Sequence, residues 1–146
     1  MTANADEYAP SSSAFIRDEV DKVAEAGTTD VIDGGGLPVV LLTTRGAKSG
    51  SLRKAPVMRV EHDGRYVAVG SNSGSPKHPV WYYNLKADPK VTVQDGAHTA
   101  EYVARELDGV EYDEWWNRSV AAFPTYADYQ AMTTRKLPLF LLEPIT

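Results

Sequence analysis

Three stretches of this 146-residue chain have residue types and spacings suited to chemistry. The first is the loop Gly46-Ala47-Lys48-Ser49-Gly50, followed by Arg53 and Lys54. Its glycines free backbone amides, its cations bring charge and its serine adds a hydroxyl, which are the parts of an anion cradle, although taken alone the loop reads equally as a plain surface turn. It is not a Walker A loop, because Ala47 precedes Lys48 and the upstream glycine is misplaced. The second is Phe123, Tyr126 and Tyr129, recurring every three residues beside Pro124. One helical turn separates the two phenols, so they share a side and either pack the core or enter a cavity. The third is the loop from Ser71 to Pro79, which carries Asn72, Gly74, Pro76, Lys77 and His78.

Other chemistries are excluded by composition. There is no cysteine, hence no disulfide, iron–sulfur cluster, thiolate zinc site or cysteine nucleophile. The run Gly70 to Gly74 has Asn72 rather than serine at its centre, so it is no nucleophile elbow. His62, His78 and His98 lie far apart in no ligand pattern, and no metal is expected. The formal charge is −5, but it is unevenly spread. Between Thr43 and Lys90 stand nine basic and three acidic side chains, a net +6, leaving −11 on the rest. Positive charge gathered in one third of an acidic protein suits an anionic ligand. The plainer alternative for the whole segment is solvated strand edges guarded by Lys and Arg, and for Arg59, Arg65, Lys86 and Lys90 it stands even after the resemblance given below. With no basic helix or RNA-binding aromatic signature, no nucleic-acid partner is expected.

Several elements must position these groups. Residues 1–10 read as a loose tail and 11–146 as one domain, a length sufficient for a core. Ser11 to Ser13 offer N-caps to a helix carrying Phe15, Ile16, Val20 and Val23, closed by Gly27. Gly34-Gly35-Gly36 reads as a connector. Strands follow at Val39–Thr44, Leu52–Glu61 and Arg65–Gly70, the last two around Asp63-Gly64. Pro79 opens a short helix, Val80 to Lys86, that contains Trp81, Tyr82 and Tyr83. A second hairpin spans Val91–Gln94 and His98–Arg105. Asp108 and Glu111 have capping-box spacing ahead of a helix with Trp115 and Trp116. Thr125 offers a cap after Pro124, and Leu139 to Leu142 is a last strand. The fold class is therefore α+β, a small barrel of five to seven mostly antiparallel strands. No apolar run reaches ~18 residues and no signal peptide is visible, so a cytoplasmic protein is expected.

The run Leu42 to Pro56, then Asp63 to Ser71, then Gly74 to Asp88-Pro89 resembles the deazaflavin-dependent nitroreductase family, whose members use reduced coenzyme F420 as quinone reductases and nitroreductases. Phe123 to Gln130, Thr134-Arg135 and Pro138 continue the resemblance. It implies a split β-barrel like that of FMN-binding oxidoreductases. It also implies that Lys48, Ser49, Gly50, Arg53 and Lys54 hold the coenzyme's phosphate and acidic tail. Pro56, Ser71, Asn72, Gly74, Pro76, Lys77, His78 and Trp81 would line the deazaflavin ring. Family members often carry Arg where Ala47 stands, Lys where Asn72 stands and another Tyr where Phe123 stands.

On this reading a hydride passes from F420H2 to a quinone, a nitroaromatic or an activated enone. Tyr126 would bond the acceptor's oxygen with support from Tyr129, in a pocket with Phe123 and Trp81. The alternatives are an FMN-binding flavin reductase of the same fold and a non-catalytic F420 carrier. The resemblance leaves monomer or dimer open, and also peripheral contact with the inner face of the membrane, which the acidic first helix does not support.

Overall fold

Short apolar runs punctuated by glycine turns fold into seven antiparallel strands in the order β2-β1-β5-β6-β7-β4-β3. They are β1 (Val39–Arg45), β2 (Leu52–Met58), β3 (Glu61–His62), β4 (Arg65–Val69), β5 (Lys90–Asp95), β6 (His98–Glu106) and β7 (Leu139–Pro144). The helices are α1 (Ala14–Ala26), α2 (Val80–Ala87), α3 (Gly109–Ala122) and α4 (Thr125–Ala131). The computed structural model describes residues 10–11, 13–32 and 35–145. Of the expected tail only Pro10 is among them, and Ser12 and Gly34 also lie outside.

The sheet curls because one stretch of chain serves both its edges. Met58 is the last β2 residue paired with β1, opposite Val39. The chain then turns through Arg59 and Val60, whose carbonyl accepts from Val67 N at 3.0 Å, and pairs with β4 from Glu61. The single strand expected over Leu52–Glu61 is thus two strands with different partners. Asp63 and Gly64 both have positive φ (54° and 77°), as a two-residue type I′ turn demands. In the second hairpin Asp95 pairs with His98, so Gly96 and Ala97 make the turn.

Period-two alternation sorts the side chains. Val40, Leu42, Ala68, Val93, Phe140 and Leu142 fill the interior, closed by Trp81 and Leu85 of α2. On the outside, Val39 and Leu41 lie under Val20 and Val23 of α1. Val67, Val69, Leu139 and Leu141 lie under Trp115 of α3 and Tyr126 of α4. β1 and β7 are therefore covered on both faces, which is why each reads as an unbroken apolar run. β2 differs. Every one of its residues is half-buried. Ala55 and Val57 face the interior, leaving Lys54, Pro56 and Met58 on the outer face. As β2 pairs only with β1, Pro56 can sit there without breaking a ladder.

Ser13 caps α1 through its side chain, and Gly27 ends it in the left-handed region with φ 75°. Two expected caps do not form. Asp108 stands at the N-cap of α3 without a side-chain bond, and Glu111 pairs with Arg105 at 2.9 and 3.1 Å instead of closing a capping box. Pro124, not Thr125, occupies the cap of α4. Of the cations expected on strand edges, Lys86 lies instead on α2; among the described residues it pairs with Glu106, and Arg59, between β2 and β3, pairs with Asp95, both at 2.9 Å.

Candidate functional site

The outer face of β2 is the floor of a cleft of about 1490 Å³, walled by α1 on one side and α4 on the other. Lys54, Pro56 and Met58 form the floor, and Phe15, Ile16 and Glu19 line it from α1. The β1–β2 loop closes one end. Lys48 and Ser49 are exposed at its tip, and Arg53 stands beside it with Nη1 donating to Pro10 O at 2.8 Å. Gly46 N donates to Ser51 O and Gly50 N to Gly46 O, at 2.7 and 2.9 Å, which folds the loop tightly. A Cβ on Gly46 would stand 2.7 Å from Ser49 Oγ and 3.1 Å from the Ser51 carbonyl, so a larger residue there would push the exposed Ser49 side chain aside. Gly50 lies behind the tip rather than on the cleft wall, and its carbonyl accepts from Arg45 at 2.6 Å.

The loop after β4 forms the opposite flank. Ser71, Asn72, Lys77 and His78 line the cleft. Asn72 Nδ2 donates to Lys77 O at 3.0 Å, tying the loop to itself. Gly74 and Pro76 are not on the wall. Gly74 is buried with φ 80° against Met132 and the Tyr129 carbonyl, where a Cβ would meet Met132 Sδ at 2.8 Å. It lets α4 approach the loop. Trp81 reaches the cleft but is 7% exposed, packed edge-on against Phe140 in the core.

The aromatic wall forms as the spacing predicts. Phe123 meets Tyr126 edge-on at 4.9 Å, and the Tyr126 and Tyr129 rings lie 6.4 Å apart. Tyr126 is 3% exposed at the bottom of this wall. Burial raises its pKa well above the ordinary tyrosine value, the nearby Tyr129 adds to this, and a backbone hydrogen bond from Met58 pulls it partly back. It is a neutral donor at any physiological pH.

Two residues that organise these flanks were given no role by the sequence, although both lie in stretches that carry the resemblance. Asn84, 3% exposed, is a polar residue on the buried side of α2. Its Oδ1 accepts from Ala47 N at 2.9 Å and its Nδ2 donates to Thr44 Oγ1 at 3.1 Å, pinning the β1–β2 loop. Arg135 fixes the opposite loop through the carbonyls of Gly70, Ser71 and Ser75 at 2.9 to 3.0 Å. Asn84 was visible as the polar residue within Trp-Tyr-Tyr-Asn-Leu. Arg135 was part of the resemblance, but its role had no local signal, since its side-chain partners stand 57 to 65 residues away.

A profile of the F420H(2)-dependent quinone reductase family matches residues 15–144. The chain belongs to that family. The F420H(2)-dependent quinone reductase Rv1261c of Mycobacterium tuberculosis (strain ATCC 25618 / H37Rv) is 32% identical over 113 residues, 74% of either chain. The solved F420-H2 dependent reductase FDR-A is 52% identical with a TM-score of 0.69, over 73% of this chain and 94% of its own. A structure described as a domain-swapped dimer is 48% identical with a TM-score of 0.72, over 87% of this chain and 96% of its own. More distant structures, among them a FAD-binding protein of Mesorhizobium loti at 18% identity, share the fold alone, which is the split barrel.

Members of the F420H(2)-dependent quinone reductase family use coenzyme F420 rather than the alternative FMN. The donor set of the cleft fits that coenzyme. Cationic and hydroxyl donors gather at one end (Lys48, Ser49, Arg53, Lys54), where a phosphate and carboxylates would lie. A flat, mostly apolar floor and an aromatic wall stand at the other, where a planar ring would lie.

Proposed function

We propose that this chain reduces a quinone at the expense of F420H2, with nitroaromatics and activated enones as further acceptors, and that the residues lining the cleft do the binding. Lys48, Ser49, Arg53 and Lys54 would hold the anionic tail. Pro56, Ser71, Asn72, Lys77 and His78 would flank the ring, with Gly50, Gly74 and Pro76 shaping the loops behind them. Reduced F420, when bound, supplies a hydride. A quinone that accepts a hydride also needs one proton to become a quinol. Tyr126 would donate a hydrogen bond to the acceptor's oxygen as charge grows there, and relay that proton from solvent. Its burial keeps the donor neutral and spares it reorganisation during the reaction. Phe123 and Tyr129 hold the phenol in place, and with Trp81 they give the acceptor an apolar seat.

The observation that carries this reading is the buried Tyr126 phenol in a cleft whose far end is cationic. Among the described residues no helix is long and apolar enough to cross a membrane. A 48% identical relative is described as a domain-swapped dimer, which makes a dimer the state to look for here. The test is Tyr126→Phe with menadione as acceptor. We expect kcat to fall about a hundredfold, as when one donor to a developing oxyanion is removed. F420 affinity, read by tryptophan fluorescence with FMN as control, should change less than about twofold. The wild-type rate should show no tyrosine ionisation through pH 9, since burial places that ionisation higher. Unchanged turnover in Tyr126→Phe overturns its role, and absence of F420 binding overturns the function.

A further inference from the structure

Arg135 has no carboxylate partner among the described residues. Its donors go to the carbonyls of Gly70, Ser71 and Ser75, and its Nη1 also stands 3.1 Å from Nδ1 of His78. A guanidinium has no acceptor and keeps its protons in a protein, so Nδ1 must offer its lone pair. The single proton of a neutral imidazole is then on Nε2. The ring plane is set as well. His78 stacks on Tyr82 with centroids 4.0 Å apart and planes 16° from parallel, and meets Tyr83 edge-on at 6.0 Å. His78 lines the cleft, and Nε2 has no hydrogen-bond partner among the described residues.

We propose that Arg135 is a positioning residue that locks His78 as the Nε2–H tautomer, so that the ring meets bound F420 as a hydrogen-bond donor to a carbonyl oxygen of its ring. This rests on the F420 reading above. The lock is sensitive to acid. The charged or titratable groups facing His78 are Arg135 ahead of β7, Tyr82 and Tyr83 of α2 and Glu106 of β6, the last already paired with Lys86. Lys77 is the other charge on its own loop. Burial lowers the pKa of His78 first and Arg135 lowers it further, against a weaker opposing pull from Glu106. A proton on Nδ1 would set an imidazolium against the guanidinium and break the contact.

The experiment combines long-range 1H–15N NMR of the His78 ring in the full chain with F420 titrations by tryptophan fluorescence. Wild type should show the neutral Nε2–H form at pH 7.5. Arg135→Gln should show mixed tautomers and bind F420 about three- to tenfold more weakly, the range for one hydrogen bond. His78→Phe, which keeps the stack on Tyr82, should lose a similar factor. The double variant should be no weaker than Arg135→Gln alone, because the His78 contribution already runs through Arg135. Wild-type affinity should fall below pH 6.5, and that limb should move to higher pH in Arg135→Gln, where one influence lowering the pKa is gone. A protonated Nδ1 in wild type at pH 7.5, or unchanged affinity in His78→Phe, overturns the proposal and leaves the F420 reading standing. Failure of wild type to bind F420 overturns both.

Discussion

Both loops that flank the cleft fold on hydrogen bonds of their own, but they differ in what else holds them. The Ser71–Pro79 loop is stitched from outside, by one guanidinium that reaches three of its neighbouring carbonyls and a histidine across 57 to 65 residues of sequence. The Gly46–Ser51 loop is held mostly by its own backbone, with Asn84 as its one pin from α2, and its tip side chains Lys48 and Ser49 stand in solvent. The difference matches two kinds of recognition. A planar ring is selected by shape and by fixed donors, which need a rigid frame. A flexible polyanionic tail is held by charge, which tolerates movement because Coulomb attraction falls gently with distance.

Removing the outside stitch tests this contrast most severely. Arg135→Ala leaves Gly70, Ser71 and Ser75 carbonyls without their donor and should cost about 3 kcal/mol in urea unfolding. F420 affinity should fall with it, while the β1–β2 loop keeps its hydrogen-exchange protection. Acid probes the same stitch more gently. The folded-state pKa of His78 lies below its ordinary value of 6.5, so its neutral form contributes stability that is present above pH 6.5 and lost as pH falls. Wild type should therefore lose more of its urea midpoint between pH 7.5 and 5 than His78→Phe does.

The same contrast governs what could be read in the sequence. Features set within a few residues were legible: the Asp63-Gly64 turn, the Ser13 and Gly27 caps, the apolar runs of β1 and β7, and the shared side of Tyr126 and Tyr129. Features decided by distant partners were not. Leu52–Glu61 alternates well enough for one strand, and only the switch from β1 to β4 as partner divides it. The Asp108–Glu111 capping box has the right spacing, but Arg105 offers Glu111 two charged hydrogen bonds, which are stronger than one to a backbone amide. Gly74 carries the loop sequence of a site residue, yet the approach of α4 makes it a packing residue. In the candidate site the charged and aromatic residues were visible, whereas Arg135, Asn84 and the wall contributed by α1 depend on contacts no local pattern encodes.

Asn84 offers a smaller break on the other flank. Asn84→Ala strands the Thr44 hydroxyl and the Ala47 amide, and should cost about 2 kcal/mol in urea unfolding. If the β1–β2 loop serves the tail and not the ring, the KM for F420H2 should rise several-fold while kcat stays within about twofold. A fall in kcat as large as the rise in KM would place this loop against the ring and undo the division between the flanks.

Lys48→Ala is the gentlest test and the most discriminating for the charge argument. Lys48 is exposed at the loop tip, so its loss should leave stability within about 0.5 kcal/mol of wild type. A lysine that only guards a strand edge would have no further effect. One that holds an anionic tail through solvent should weaken F420 binding about threefold at low salt. That difference should shrink as ionic strength rises toward 1 M, where the Debye length falls to about 3 Å. His78→Phe supplies the contrast within the same cleft. It would remove the hydrogen bond proposed between His78 and the ring, so its defect should persist at high salt. Parallel salt dependence of the two variants would mean that both flanks bind by charge. Salt dependence confined to Lys48→Ala would mean that the charge at the tip of the β1–β2 loop works on the tail, with the ring left to geometry.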